Sequence, residues 1–350
     1  MMLALTTLIS AVCLTQVMAD SAANGVEISN EDPLIFYHGR WDRAPGTWCE
    51  YIDWFKFDPP QRYQQHKEER KVIGAKNHFT RLARQSYEFG VHSSEFGAYN
   101  VPMLPYGHVT DTRSPRKGAK LLPYTPSKLA FQVIGDSLSA GQYLEQGVLQ
   151  AWPALTAEFF KSEVNVNAQP GAALTDIPAF GNVHGVSYEF FRTEDTGYYY
   201  TAAHNYTTPW DFSRDKPAPT HVVIHIGAND ASQNVTSSDF EQTYLNFVTR
   251  LRTLYHSQPI LVFTPWGWPN PDGTVSQYYE GSYQKIVEER HLFGDKNVFL
   301  VNTTGWVTYA DIFPDNSHPT EAGHAKIAKL FEAWLQNWGL HPEASWPTEI

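Results

Sequence analysis

From about residue 129 onward, short apolar runs alternate with longer stretches of helical periodicity, and this alternation limits the possible fold more than any other feature. The runs are residues 131–134, 164–167, 221–226, 259–263 and 297–301. All are short, most are rich in branched residues, and loop residues follow each, which is the pattern of buried strands. Between them, residues 152–160 carry apolar side chains at helical spacing, with Pro153 in the first turn. Residues 239–256 place Phe240, Tyr244, Phe247, Leu251 and Leu254 on one stripe. Residues 278–292 are a less regular candidate helix, and 321–338 the last, with Thr320 as its N-cap after Pro319. Strand and helix alternating over so long a stretch predict a parallel sheet covered on both faces. In such a fold, chemistry collects beyond the carboxyl ends of the strands.

Small, polar clusters stand at those ends. Gly135-Asp136-Ser137-Leu138-Ser139 follows the first run, Ala168-Gln169-Pro170-Gly171-Ala172 the second, and Gly227-Ala228-Asn229-Asp230 the third. Asp315-Asn316-Ser317-His318-Pro319 lies after the fifth run, just before the last helix. A serine hydroxyl becomes a useful nucleophile only when a base can take its proton. Histidine suits that task because its pKa lies near neutrality. A carboxylate can then hold the imidazole tautomer, and Asp315 stands three residues before His318 in one short loop. The oxyanion formed on attack needs preorganised N–H donors. The backbone N–H groups of Ser137 and Gly171 and the Asn229 amide can supply them, glycine allowing close approach.

Each residue also has a plainer role open to it. Ser137 could cap a helix, Asn229-Asp230 a loop, and Gly171 could serve only the turn after Pro170. His324 and Asp311 are the alternatives to His318 and Asp315.

The four blocks GDSLS, glycine after the second strand, GAND and DNSHP, in that order, resemble the SGNH hydrolases, also called GDSL lipases/esterases. The resemblance spans about residues 131–338. It implies a flavodoxin-like three-layer α/β/α domain over residues 129–340 with a five-stranded parallel sheet, in agreement with the strand count. It further implies Ser137 as nucleophile, His318 as base and Asp315 as acid, with Ser137, Gly171 and Asn229 as the oxyanion hole. Some members of that family use a backbone carbonyl in place of the acid. The implied mechanism needs no cofactor.

Other chemistries lack their signatures. Although the chain has 14 histidines, no HExxH or clustered Cys/His pattern occurs, so no metal is expected. GxxxxGK[ST] and GxGxxG loops are missing, as is the GxSxG elbow of α/β-hydrolases. A net charge of −11 argues against nucleic acid and anionic membranes as partners.

Residues 1–19 contain no charge, carry an apolar run over 3–17 and end at Val17-Met18-Ala19, which predicts a secretory signal and an extracellular protein without stable membrane insertion. Cys13 lies inside that segment, leaving Cys49 with no internal disulfide partner. Sequons at Asn205, Asn234 and Asn302 fit secretion. Residues 30–125, with scattered apolar runs and many aromatics, predict a smaller β-rich domain in front of the hydrolase domain. Within it, Gly39-Arg40-Trp41-Asp42 and Gly46-Thr47-Trp48 are similar to the opening of the β-sandwich domain in family two carbohydrate esterases. That resemblance implies removal of acetyl groups from polysaccharides or oligosaccharides. Trp266 and Trp268, in the loop after the fourth strand, either stack on substrate or pack beneath the loop. Two further classes remain: a lipase or phospholipase of the same family, and a non-catalytic carbohydrate-binding protein on this scaffold.

Overall fold

The computed structural model describes residues 125–192 and 209–347 of the 350-residue chain. The secretory segment expected over 1–19, the β-rich domain expected over 30–125 (residue 125 apart), Cys13, Cys49 and the Asn205 sequon lie outside the described residues.

Five parallel strands form the central sheet: β1 (Ala130–Asp136), β2 (Glu163–Gln169), β3 (His221–His225), β4 (Ile260–Phe263) and β7 (Val298–Val301). Their order is β2-β1-β3-β4-β7. A two-stranded hairpin, β5 (Trp268–Pro269) with β6 (Val275–Ser276), stands apart from the sheet. The longer helices are α2 (Trp152–Phe160), α5 (Ser237–Leu251), α6 (Ser282–Leu292) and α7 (Glu321–Trp338). Short helical turns α1 (Ser137–Ala140), α3 (Val186–Glu189) and α4 (Ala228–Ser232) complete the set.

Alternation along the strands sorts side chains into two cores. Val133, Val223, Leu261 and Phe263 face one way and pack with Trp152 and Phe160 of α2 and Ile327, Phe331 and Leu335 of α7. Ile134, Val222, Ile224 and Val262 face the other, against Phe240, Tyr244 and Phe247 of α5 and Tyr283 and Ile286 of α6. This is the three-layer α/β/α arrangement. Trp152 shows how densely the first core is filled: its ring stacks on Phe263 at 5.2 Å and meets Phe331 edge-on at 5.7 Å. Removing such a buried ring costs roughly 3–5 kcal/mol.

The ends of the helices follow local chemistry. Thr320 caps α7 by accepting the Gly323 N–H, and Gly339 ends it in the left-handed conformation. Thr236 caps α5 through the Asp239 N–H. Helix α5 therefore starts two residues before the apolar stripe implied, and α6 begins at Ser282, later than residue 278. With β1 in the interior and β2 and β3 on either side of it, successive connections leave in opposite directions, opening a crevice at the carboxyl ends of β1 and β3.

Candidate active site

Strand β1 ends in Asp136 and passes directly into α1. Asp136, not Ser137, caps this turn: its Oδ1 accepts the Leu138 N–H at 3.0 Å. Ser137 becomes the first helical residue, where its own N–H has no acceptor within the helix. The Asp136 carboxyl is fully buried and its Oδ2 has no hydrogen-bond partner. Burial, reinforced by the neighbouring Asp230, pushes its pKa up to about 7.

The Ser137 Oγ lies 2.9 Å from Nε2 of His318. His318 is carried by a loop that doubles back on itself: Ile312 bridges Pro319 antiparallel, and the Phe313 N–H donates to the His318 carbonyl at 2.8 Å. Ser317 occupies the left-handed region, φ 59°, at the corner just before the histidine. Asn316 holds His318 twice, its Oδ1 accepting the backbone N–H at 3.0 Å and its carbonyl facing Nδ1 at 2.8 Å.

Asp315 does not take the place expected of it. Its carboxylate accepts only from the Asn316 side-chain amide, at 3.3 Å, and makes no hydrogen bond to His318. The tight reversal of residues 312–319 brings the carbonyl two positions before the histidine under the ring and leaves the residue three before it exposed. Asp311 is engaged elsewhere, with Lys326 at 2.5 Å and the Thr308 hydroxyl at 2.7 Å. The competing His324 is fully buried, and its Nδ1 faces the Trp152 N–H at 3.3 Å. Burial drops its pKa to about 3, so it is a neutral packing group. Burial also lowers the pKa of His318, partly offset by its bond to Asn316, which keeps the free-base form available near neutrality.

The second and third clusters meet each other at the carboxyl edge of the sheet, where β2 and β3 flank β1. After β2, the Ala172 N–H returns to the Gln169 carbonyl at 3.1 Å, closing a turn with Pro170 in second place and Gly171 at φ 80° in third. A Cβ on Gly171 would also come within 2.8 Å of the Phe180 Cβ. After β3, Gly227 sits at φ 126°, and a Cβ there would come within 2.2 Å of the Tyr283 hydroxyl. This leads into α4, where Asn229 donates its side-chain amide to the Ala172 carbonyl at 2.9 Å. The next residue, Asp230, is buried and accepts the N–H groups of Leu174 at 2.7 Å and Thr175 at 2.9 Å. Asn229 and Asp230 thus tie the Gly171 loop to α4 at three points. Asn229 has a second amide hydrogen beyond the one given to Ala172.

The two tryptophans separate. Trp266 is 1% exposed and stacks on His225 at 4.0 Å, so it packs beneath the loop and cannot meet substrate. Trp268 is half-buried and leans on Tyr278. Sequence reasoning did not single out Asn316, and it offered Asp230 only as a loop cap, the role in which it holds the Leu174 and Thr175 N–H groups. It also missed Tyr143, whose exposed ring lies edge-on to His318 at 4.9 Å. Among the described residues, no group of three His, Cys, Asp or Glu side chains could hold a metal ion, and no helix is long and apolar enough to cross a membrane.

Comparison with known proteins agrees with this fold. The profile of the GDSL-like Lipase/Acylhydrolase family matches residues 133–326. Among solved structures, an active-site mutant of a family two carbohydrate esterase from Clostridium thermocellum is similar, with 22% identity, 63% of this chain and 68% of the other covered, and TM-score 0.50. A family two carbohydrate esterase from the same organism in complex with cellohexaose has 21% identity, coverage of 63% and 67%, and TM-score 0.49. One from Cellvibrio japonicus has 19% identity, coverage of 63% and 64%, and TM-score 0.49. At these identities the likeness is one of fold. A comparison with curated protein sequences gives no match.

Proposed function

The chain belongs to the GDSL-like lipase/acylhydrolase family, and on that premise we propose that it is a secreted serine esterase that removes acetyl groups from carbohydrate esters. The observation that carries the serine mechanism is the 2.9 Å approach of Ser137 Oγ to His318 Nε2 at the carboxyl end of β1. In this reading His318 takes the hydroxyl proton as Oγ attacks the ester carbonyl. The N–H groups of Ser137 and Gly171 and the amide of Asn229 receive the oxyanion. As the carbon–oxygen bond to the alcohol breaks, the Nε2 proton passes to the departing oxygen. Water then attacks the acyl-enzyme by the reverse sequence and releases the acid. The Asn316 carbonyl, not Asp315, holds Nδ1–H throughout.

The carbohydrate part of the reading is supported by the shared fold with a family two carbohydrate esterase and by the Gly39-Arg40-Trp41-Asp42 and Gly46-Thr47-Trp48 stretches. Secretion is supported by the uncharged apolar segment at residues 1–19. The test is release of acetate from acetylated xylan or glucomannan by wild type and Ser137→Ala side by side. Release by wild type alone is the expected outcome. Wild type that cleaves short synthetic esters but neither polymer would retain the serine mechanism and discard the polysaccharide.

A further inference from the structure

Two buried carboxyls stand behind the site, and the mechanism uses neither as an acid or a base. Asp136 joins β1 to the nucleophile turn α1, and Asp230 holds the Gly171 loop. Their hydrogen bonding is unequal. Asp230 satisfies both oxygens, Oδ2 on the Leu174 N–H at 2.7 Å and Oδ1 on the Thr175 N–H at 2.9 Å. Asp136 takes the Leu138 N–H on Oδ1, and its Oδ2 has no partner although no part of the residue reaches solvent. A buried carboxylate needs donors to hold its charge, and a like charge nearby opposes it further. Asp230 is equipped to be the anion of the two, which leaves Asp136 as the neutral acid.

The place of Asp136 in the sheet decides what its ionisation would disturb. Side chains alternate along β1, so Asp136 points with Ile134 into the core that also holds Ala172 and Leu174 of the Gly171 loop. The His318 loop belongs to the opposite core through Ile312, as does His225 through its stack on Trp266. His324 lies on that far side too, in α7. The ionisable groups that act with Asp136 are Asp230 of α4, Tyr278 and, from α6, Tyr283, with Tyr244 of α5 packed behind Tyr283. Burial holds these three phenols well above their ordinary 10, so they stay neutral. From β2, the residue level with Asp136 is the uncharged Gln169.

We propose that Asp136 is a positioning residue for the oxyanion donors and must keep its proton: neutral, it fixes the Ser137 turn, and ionised, it repels the oxyanion and slows acyl transfer. The proposal rests on the serine-esterase reading of the site. Ser137 follows Asp136 directly, and its backbone N–H, free within the helix, is the first of those donors. A negative charge one residue away, in the core shared with the Gly171 loop, opposes the charge that the donors gather. The imidazolium of His318, on the other side of the sheet, gains less from it.

The test is the alkaline limb of the pH profile on a short-chain nitrophenyl ester, with folding followed by tryptophan fluorescence at each pH. Wild-type kcat/KM should fall about tenfold from about pH 6 to about pH 9, reversibly and through kcat, with KM unchanged. The midpoint should lie at about 7, the value to which burial raises the carboxyl. Asp136→Asn keeps an acceptor for the Leu138 N–H and cannot ionise, and Asp136→Ser caps the same turn with a hydroxyl. In both variants the ratio of kcat at the two pH values should approach one. A cap with a merely structural role would change the level of activity in the variants without removing the limb. A flat wild-type profile, a fall that only follows unfolding, or a limb that survives in either folded variant overturns the proposal. Equal hydrolysis by wild type and Ser137→Ala, or none by either, would instead sink the serine-esterase reading, and the proposal with it.

Discussion

Nδ1 of His318 stands 2.8 Å from the carbonyl oxygen of Asn316, and that single contact determines where the protons sit. A carbonyl can only accept, so Nδ1 carries the hydrogen and Nε2 is left bare toward the Ser137 hydroxyl, 2.9 Å away. The orienting task often given to an acid falls here to the main chain.

Asp315→Asn should therefore keep kcat within about threefold of wild type, while His318→Ala should lose roughly 10³-fold or more. Steady-state rates on a short-chain nitrophenyl ester decide the matter. A loss above about a hundredfold for Asp315→Asn would mean that the carboxylate reaches the ring during turnover.

Asn229 and Asp230 divide one task between them. On the proposed mechanism Asn229→Ala removes an oxyanion donor, and it should lower kcat by about 10²–10³ with little change in KM. Asp230→Ala strands the buried N–H of Leu174 and the part-buried N–H of Thr175. Its cost should appear in urea denaturation as about 2–4 kcal/mol of lost stability, with the kcat defect following from a loosened Gly171 loop. If Asp230→Ala left both stability and kcat intact, the clamp would be dispensable.

Burial lowers the pKa of His318 from the ordinary 6.5. The free-base form needed to accept the serine proton is lost only below that point. The acid limb of kcat/KM against pH should accordingly have its midpoint below 6.5. A midpoint above 6.5 would show that the imidazolium is stabilised in the free enzyme.

Asp136 titrates in the opposite sense. Its carboxyl rises from 3.8 in the unfolded chain to about 7 when folded, so the stability it contributes is fully present below 3.8 and is lost as pH rises through about 7. Asp136→Asn retains an acceptor for the Leu138 N–H without the ionisation. Wild type should weaken relative to this variant between pH 4 and pH 8 (roughly the span of the shift) in urea melts. A constant difference across that range would mean that folding does not raise the Asp136 carboxyl above its unfolded value.

The two ends of this protein's story are legible to different degrees. The five buried strands, the bounds of α2 and α7 and the Thr320 cap could be read directly, because hydrophobic periodicity and capping are local properties that the chain writes into neighbouring residues. The order of the polar clusters likewise placed Ser137, Gly171 and Asn229 at strand ends and His318 in the connection after the fifth strand, since a parallel sheet has one carboxyl edge where its strands end. Tertiary structure decided the rest. Whether Asp315 or the Asn316 carbonyl faces His318 depends on how residues 312–319 reverse, with Ser317 left-handed at the corner, and no residue type announces that turn. Whether Trp266 meets substrate or the core depends on His225 lying beneath it, on a strand far earlier in the chain. Sequence by itself determined the elements and the types of group available for chemistry. Only the packed loops decided which atoms of those groups meet, because contacts between distant segments depend on geometry that no local pattern encodes.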